Sequence, residues 1–296
     1  MTQLAIAAPR LRSNASARRR RSKNAMLTTL LVATILIAIG VLAWVLIYVA
    51  IQGVGALSPS FVTHNPPGDP AAAGGGFSNG IMGSLIVVGI AAGIAIPLGV
   101  GAAIYLVEYG HGPAPRLIRF VNDILIGIPT IVTGAFVYAI WVTRFGFSGF
   151  AGSLALAIVM LPLVTRTTEE MLRLVPNDLR EGSLALGATR SQTILRICIP
   201  TALPGIITGA MLAVARAMGE TAPLLLTALG NELFTELNPG KRMSTLSLQI
   251  FDNAVTGFKE AQSRAWAGAL TLVAIVLILT FAARYFGRRV RTTENS

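Results

Sequence analysis

The chain has 296 residues, 53% of them hydrophobic and only 12% charged, with a net charge of +11. Soluble domains carry about 25% charged residues, so this is the composition of a protein embedded in a membrane. The basic excess lies between and beyond apolar runs, with no basic face interleaved with aromatics, which excludes a nucleic-acid binder and points to orientation in a bilayer. A single cysteine, Cys198, excludes a disulfide framework and a thiolate metal site, and the two histidines, His64 and His111, lie far apart and outside the apolar runs.

Residues 1–25 are polar and basic, with Arg10, Arg12, Arg18, Arg19, Arg20, Arg21 and Lys23. They show no apolar period and read as a disordered cytoplasmic arm, a topology signal more than a contact for acidic lipid heads. The run 26–51 exceeds the roughly 20 residues that cross a bilayer. It is too long for the h-region of a secretory signal, so it reads as an uncleaved first span. Residues 52–79 contain Pro59, Pro66, Pro67 and Pro70 and a small-residue run up to Gly76, with no Lys or Arg, and read as a flexible extracytoplasmic loop.

The second span is 80–108. Gly89 and Gly93 stand four apart in it, a packing signal, and Pro97 lies inside. The third, 120–142, contains Gly127-Ile-Pro129, and the fourth, 147–165, contains Pro162. Prolines at membrane depth are tolerated where neighbours satisfy the freed backbone, so these spans are expected in a bundle interior beside a polar or moving path. The fifth span is 200–229, the sixth 265–286, and 287–296 form a cytoplasmic tail. With both termini inside, the inner side holds eighteen Lys and Arg, counting Arg284 at the inner end of the sixth span, and the outer loops five (Arg144, Lys241, Arg242, Lys259 and Arg264); Arg216 alone falls in the middle of a span. That asymmetry supports the topology.

Between the fourth and fifth spans, Asn177 is a suitable N-cap for a short helix over 178–186, which Gly187 can end. Thr189 followed by Gln192 makes a capping box for a second helix running into Pro200. In the fifth span, Arg216 sits mid-run, where a charge costs roughly 2.5–3.5 kcal/mol on insertion scales and is functional by default. Glu220 follows four residues later. An Arg-then-Glu order is the poorer one for an isolated helical pair, so local stabilisation is a weak reason for both. The competing reading is a structural ion pair between helices. A guanidinium fork otherwise suits an oxyanion, with Glu220 holding Arg216 in place when the site is empty and weakening binding enough for release.

These stretches carry a family resemblance. Glu181-Gly-Ser-Leu-Ala-Leu-Gly187 and Ile197-Cys-Ile-Pro200 resemble the EAA loop of ABC-importer permeases, with Gly182 and Ser183 in place of the usual alanines. Arg216-Ala-Met-Gly-Glu-Thr-Ala-Pro-Leu-Leu225 and Ala185-Leu-Gly-Ala-Thr-Arg-Ser-Gln-Thr-Ile194 are similar to signatures of the phosphate-specific ABC permeases, A-type subunit. So are Gly127-Ile-Pro-Thr-Ile-Val-Thr-Gly134, Ala103-Ile-Tyr-Leu-Val-Glu-Tyr109 and Leu246-Ser-Leu-Gln-Ile250. The resemblance implies an all-α membrane protein of six transmembrane helices with the type I ABC importer permease fold. It implies Arg216, Glu220, Thr221 and Arg166 along the substrate path, and Glu181, Gly187, Ala188, Arg190, Ile197 and Pro200 in a loop that couples to an ATPase. The implied partners are a sibling C-type permease, a dimeric ATPase and an extracytoplasmic phosphate-binding protein. No phosphate-binding Gly-x-x-x-x-Gly-Lys-[Ser/Thr] loop occurs in this chain, so ATP and Mg would sit on the ATPase and no cofactor on this chain.

Three other readings compete with this one. A sulfate or molybdate permease would share the coupling loop but not the 216–223 stretch. A secondary transporter could use Glu220 as a proton relay, but no inverted repeat is visible and the coupling loop would lack a purpose. An intramembrane serine protease is suggested by Gly146-Phe-Ser-Gly149, and a soluble-type elbow by Gly76-Phe-Ser-Asn-Gly80. The first lacks a histidine at membrane depth and the second lies in a loop.

Overall fold

The computed structural model describes residues 15–293 apart from residue 232. The chain divides into two units, residues 1–51 and 52–296. Helix α1, Ala15–Val54, supplies the first. It is apolar on every side over the run 26–51, as a helix surrounded by lipid must be. Helix begins at Ala15, so the second part of the arm expected to be disordered is helical; residues 1–14 lie outside the described residues.

In the second unit the elements follow in order as α2 (Pro59–Thr63), α3 (Ser78–Ile104), α4 (Pro113–Gly127), α5 (Thr130–Val137), α6 (Thr143–Phe145) and α7 (Gly149–Arg173). Then come α8 (Asn177–Ala185), α9 (Arg190–Thr193), α10 (Ile199–Met218), α11 (Ala222–Leu225), α12 (Leu246–Ala254) and α13 (Lys259–Thr293). Three π-helical stretches join them: Tyr105–Tyr109 extends α3, Tyr138–Val142 links α5 to α6, and Ile194–Cys198 links α9 to α10. The described residues contain no strand, only an isolated bridge between Leu229 and Met243. Among the described residues, five helices are long and apolar enough to cross a membrane, or six if the bent pair α4 and α5–α6 counts as one. Helix α13 carries the sixth span and continues through Thr293, so most of the expected tail is helical; residues 294–296 lie outside the described residues.

The core forms where α3, α7 and α10 meet, from Val87, Ala91 and Ala95, Leu156 and Met160, and Ala213 and Ala217, with Leu224 and Met243 closing it. Small residues set its spacing, but not those the sequence pattern singled out. A Cβ on Gly209 would lie 2.4 Å from the Thr167 hydroxyl, and one on Gly99 would lie 2.8 Å from Val164. Gly89 and Gly93 instead face open space, so their spacing reflects no packing within this chain.

Two expected spans differ in the structure. The third is not continuous: α4 and α5 meet at 104°. Pro129 cannot donate to the ladder and disfavours helical backbone in the residue before it, and Ile128 is extended (φ −74°, ψ 129°). The fifth ends early, at Met218. Gly219, Glu220 and Thr221 turn the chain, α11 is one turn long, and Leu229 and Gly230 take left-handed backbone (φ 56° and 68°). The 227–241 segment then accepts donors from the start of α7: Ser148, Gly149 and Phe150 N–H bond to the carbonyls of Thr227, Lys241 and Pro239 at 3.1, 2.8 and 2.7 Å. A helix start needs such partners for its orphan amides, which is why this segment is fixed.

Residues 52–79 are likewise ordered, not flexible. Phe61 and Phe77 are fully buried with ring centres 5.2 Å apart, and a Cβ on Gly76 would lie 2.0 Å from the Phe61 carbonyl. Arg264, which reads in sequence as a topology charge, is buried, and its guanidinium donates to the carbonyls of Pro70, Ala72 and Gly74 at 2.9, 2.6 and 3.4 Å. The loop's prolines and glycines shape the chain around that cation.

Candidate functional site

Arg216 lies in the last turn of α10, not in the middle of a helix. Its Nε is 3.4 Å from Glu220 Oε1, and its side chain is 59% exposed. A cation in a last turn is favoured by the helix dipole, which accounts for its fit but not for its exposure on an apolar protein. Arg166, on α7, repeats the arrangement: its Nε donates to Glu170 Oε1 at 2.8 Å, again four residues later, and both side chains are about half exposed.

The packing of α10 on α7 brings the two arginines to one cleft, beside the break between α4 and α5. Arg166 and Arg216 line one cleft of about 90 Å³ with Ile128, Thr130, Thr133 and Pro162. One water needs roughly 10–15 Å³ by this measure, so the cleft can hold a small anion with some of its water. Two guanidinium forks and two threonines line it together with apolar Leu125, Ile126, Val159 and Leu163, beside the opening turn of α5, whose dipole adds positive potential. Each arginine is paired with a carboxylate four residues later in the chain, Glu170 within α7 and Glu220 in the turn after α10.

Glu220 reaches this cleft only through Arg216, and its carbonyl is fixed by the Ser247 hydroxyl at 2.9 Å. Thr221 is not among the lining residues. It sits at the start of α11, where its carbonyl accepts the amides of Leu224 and Leu225. Thr130 and Thr133 were missed as lining residues. The signal was Pro129, which breaks the span and turns the next helix's first turn toward the arginines.

The elbow expected to couple to an ATPase is formed by α8 and α9. Helix α8 starts at Asn177 itself, with Pro176 at the cap position, one residue earlier than the sequence suggests. Gly187 takes φ +85°, a left-handed conformation open to glycine at no cost, and the capping box of Thr189 and Gln192 is present in full. Ala188 N–H bonds to the Ser183 carbonyl at 3.2 Å, and the Ser183 and Thr193 hydroxyls meet at 2.9 Å. Glu181 is exposed on α8, and Leu186 at the bend is 91% exposed. From Arg190 the helix runs on to Met218 as one unit. Ile197 lies in the π stretch just ahead of Pro200, whose ring cannot accept an ordinary α turn before it, so the wider turn relieves the clash.

The polar pairs that seat the elbow were also missed. Glu108, at the end of α3 and buried, takes Arg180 of α8 at 3.0 Å, and Arg180 also donates to the Leu172 carbonyl at 2.7 Å. Arg190 donates to the Glu108 carbonyl and lies over the Tyr109 ring, 5.0 Å from its centre. Nearby, buried Glu169 of α7 accepts from Arg119 of α4 at 2.8 Å and from Arg173 at 2.6 Å, while Arg119 reaches the Leu106 carbonyl at 3.0 Å. The only visible signal for Glu108 was an acid at the end of an apolar run. At the opposite end of the bundle, the Asn238 amide and Lys241 hold the Glu236 carboxyl below the ordinary carboxylate range.

The chain is a helical membrane bundle with an arginine-lined cleft and an elbow bent at Gly187. Residues 95–292 match the family described as "Binding-protein-dependent transport system inner membrane component", and the chain belongs to that family. Within it, the chain is 40% identical over 90% of its length to the phosphate transport system permease protein PstA of Haemophilus influenzae, spanning 94% of that protein. It is 43% identical to PstA of Yersinia pestis (90% of each chain) and 41% identical to PstA 1 of Mycobacterium tuberculosis (90% of this chain, 88% of that one). Among solved structures, the fold is similar to that of an alginate ABC transporter chain, with TM-score 0.66 and 15% identity, covering 92% of this chain and 97% of that one. It is also similar to a chain of the MetNI methionine ABC transporter, with TM-score 0.60 and 20% identity, covering 72% and 95%.

Proposed function

We propose that this chain is one permease half of an ATP-driven importer of inorganic phosphate. The observation that carries the reading is the convergence of Arg166 and Arg216 on one cleft, in a chain about 40% identical to proteins named as phosphate permeases. Phosphate presents several oxygens to a planar guanidinium fork. It enters by displacing the carboxylates of Glu220 and Glu170 from their arginines, and those carboxylates then compete for the arginines again, so binding stays weak enough for release. Thr221 shapes the turn that places Glu220 and does not touch the anion.

The 181–200 elbow docks on a separate ATPase dimer, with Glu181 and the exposed Leu186 at the contact and Gly187 as the bend. Ala188, Arg190, Ile197 and Pro200 hold the elbow to the helix whose last turn carries Arg216. ATP and Mg are bound by that ATPase and no cofactor by this chain. A sibling C-type permease completes the pore and an extracytoplasmic phosphate-binding protein delivers substrate. Both termini are cytoplasmic, as the distribution of Lys and Arg favours.

The test is purification of the chain with its associated subunits and reconstitution in sealed vesicles. ATP-dependent accumulation of labelled phosphate, abolished by omitting the ATPase, is the expected result. Accumulation of sulfate or molybdate in its place would overturn the substrate, and uptake without the ATPase would overturn the class.

A further inference from the structure

Helix α3 ends in the π stretch Tyr105–Tyr109, and its last carbonyls have no donor within the helix. Other segments supply the donors. Arg119 from α4 takes the Leu106 carbonyl, and Arg190 from α9 takes the Glu108 carbonyl. The Glu108 carboxylate itself receives Arg180 from α8 through both Nε and Nη2, at 3.2 and 3.0 Å. Three arginines from three separate segments thus converge on one helix tip. Two of them belong to the elbow and sit on either side of its bend at Gly187.

The Glu108–Arg180 pair is largely buried, at 8% and 16% side-chain exposure. Buried ion pairs are poor contributors to net stability, because desolvation offsets their attraction, but they hold a geometry and are costly to break. Leu184 and Leu186 of the elbow stand exposed, so the elbow is not held by an apolar core of its own. Along the chain it joins α7 at its start and α10 at its end; across the chain it is tied by Arg180 to the Glu108 carboxylate and the Leu172 carbonyl, and by Arg190 to the Glu108 carbonyl. On the far side of the tip, Arg119 carries the connection to Glu169 of α7, three residues beyond Arg166.

We infer that Glu108 is a positioning residue of the transport cycle. It makes the tip of α3 a point at which the elbow grips the bundle besides its two chain connections, so elbow movement reaches α3 and α4 as well as α7 and α10. This rests on the reading of the chain as an ATP-coupled permease. Along the chain the elbow acts on α7 and α10 at their ends. Gripping α3 as well carries the movement through Arg119 to α4, which lines the cleft with Leu125 and Ile126. Spatial linkage is not coupling, so the claim needs a cycle of mutants.

The experiment uses the complete transporter in vesicles and reads phosphate imported per ATP hydrolysed. A structural defect lowers the amount of complex and reduces both rates together, leaving that ratio unchanged. Glu108→Gln is expected to lower the ratio about tenfold. Arg180→Lys, which keeps the charge and loses the fork, should lower it about threefold and carries the test if Glu108→Gln does not assemble. Glu108→Gln with Arg180→Gln should be no worse than either alone. An unchanged ratio in Glu108→Gln, or in Arg180→Lys where that variant carries the test, or additive losses in the double variant, would overturn the proposal. If the wild-type complex itself moves another anion, the substrate reading fails, and the same ratio measured for that anion still tests Glu108.

Discussion

Replacing Arg216 by glutamine separates stability from transport, because the structure assigns the two very different magnitudes. The Arg216–Glu220 contact is 3.4 Å long and its arginine is 59% exposed. Exposed pairs of this kind contribute about 0–1 kcal/mol, so Arg216→Gln should leave the assembled complex within a few degrees of wild-type melting temperature. Transport should respond far more. A hydrogen bond to a charged group is worth about 1.5–3 kcal/mol, so losing a two-pronged fork removes about 3 kcal/mol or more, at least a hundredfold in rate. Arg216→Lys keeps the charge without the fork and should fall between. The assay is labelled-phosphate uptake in vesicles, normalised to the amount of intact complex. Near-normal uptake by Arg216→Gln would refute the anion role. A loss of uptake that merely follows a loss of complex would make Arg216 a structural residue.

Gly187→Ala should cost about 1–2 kcal/mol, since the left-handed backbone penalises any Cβ although the space around it is open. It should weaken co-purification of the ATPase more than it lowers the melting temperature; equal binding would argue against a bent elbow. Arg264→Met leaves the carbonyls of Pro70, Ala72 and Gly74 without their shared donor, a loss of about 2–4 kcal/mol. Limited proteolysis should then cut between residues 65 and 76, where the wild type resists. Gly83→Ala would place a Cβ 1.8 Å from the Ser244 carbonyl, so it should reduce folded protein, with overpacking costing about 1–3 kcal/mol. Gly93→Ala meets nothing and should leave the chain folded, and thermal denaturation of both variants side by side checks the contrast.

Much of this molecule was legible without coordinates, for a local reason. Hydropathy over about twenty residues marks a membrane-crossing stretch wherever its neighbours lie. A capping box needs only Thr189 and Gln192, and a left-handed bend only Gly187, so the elbow could be read from its own twenty residues. What stayed hidden depends on groups distant in sequence. Pro129 announced a disturbance, but not that the chain would turn through 104° and set Thr130 and Thr133 beside Arg166 and Arg216. Glu108 and Arg180 lie 72 residues apart, and Arg264 and Pro70 194. In sequence, Arg180 and Arg264 look like ordinary topology charges, because a cation's value as an orienting signal and its value as a buried donor leave the same letter in the chain. Which role applies depends on whether a carboxylate or an orphan carbonyl arrives beside it, and only the packing of the helices decides that.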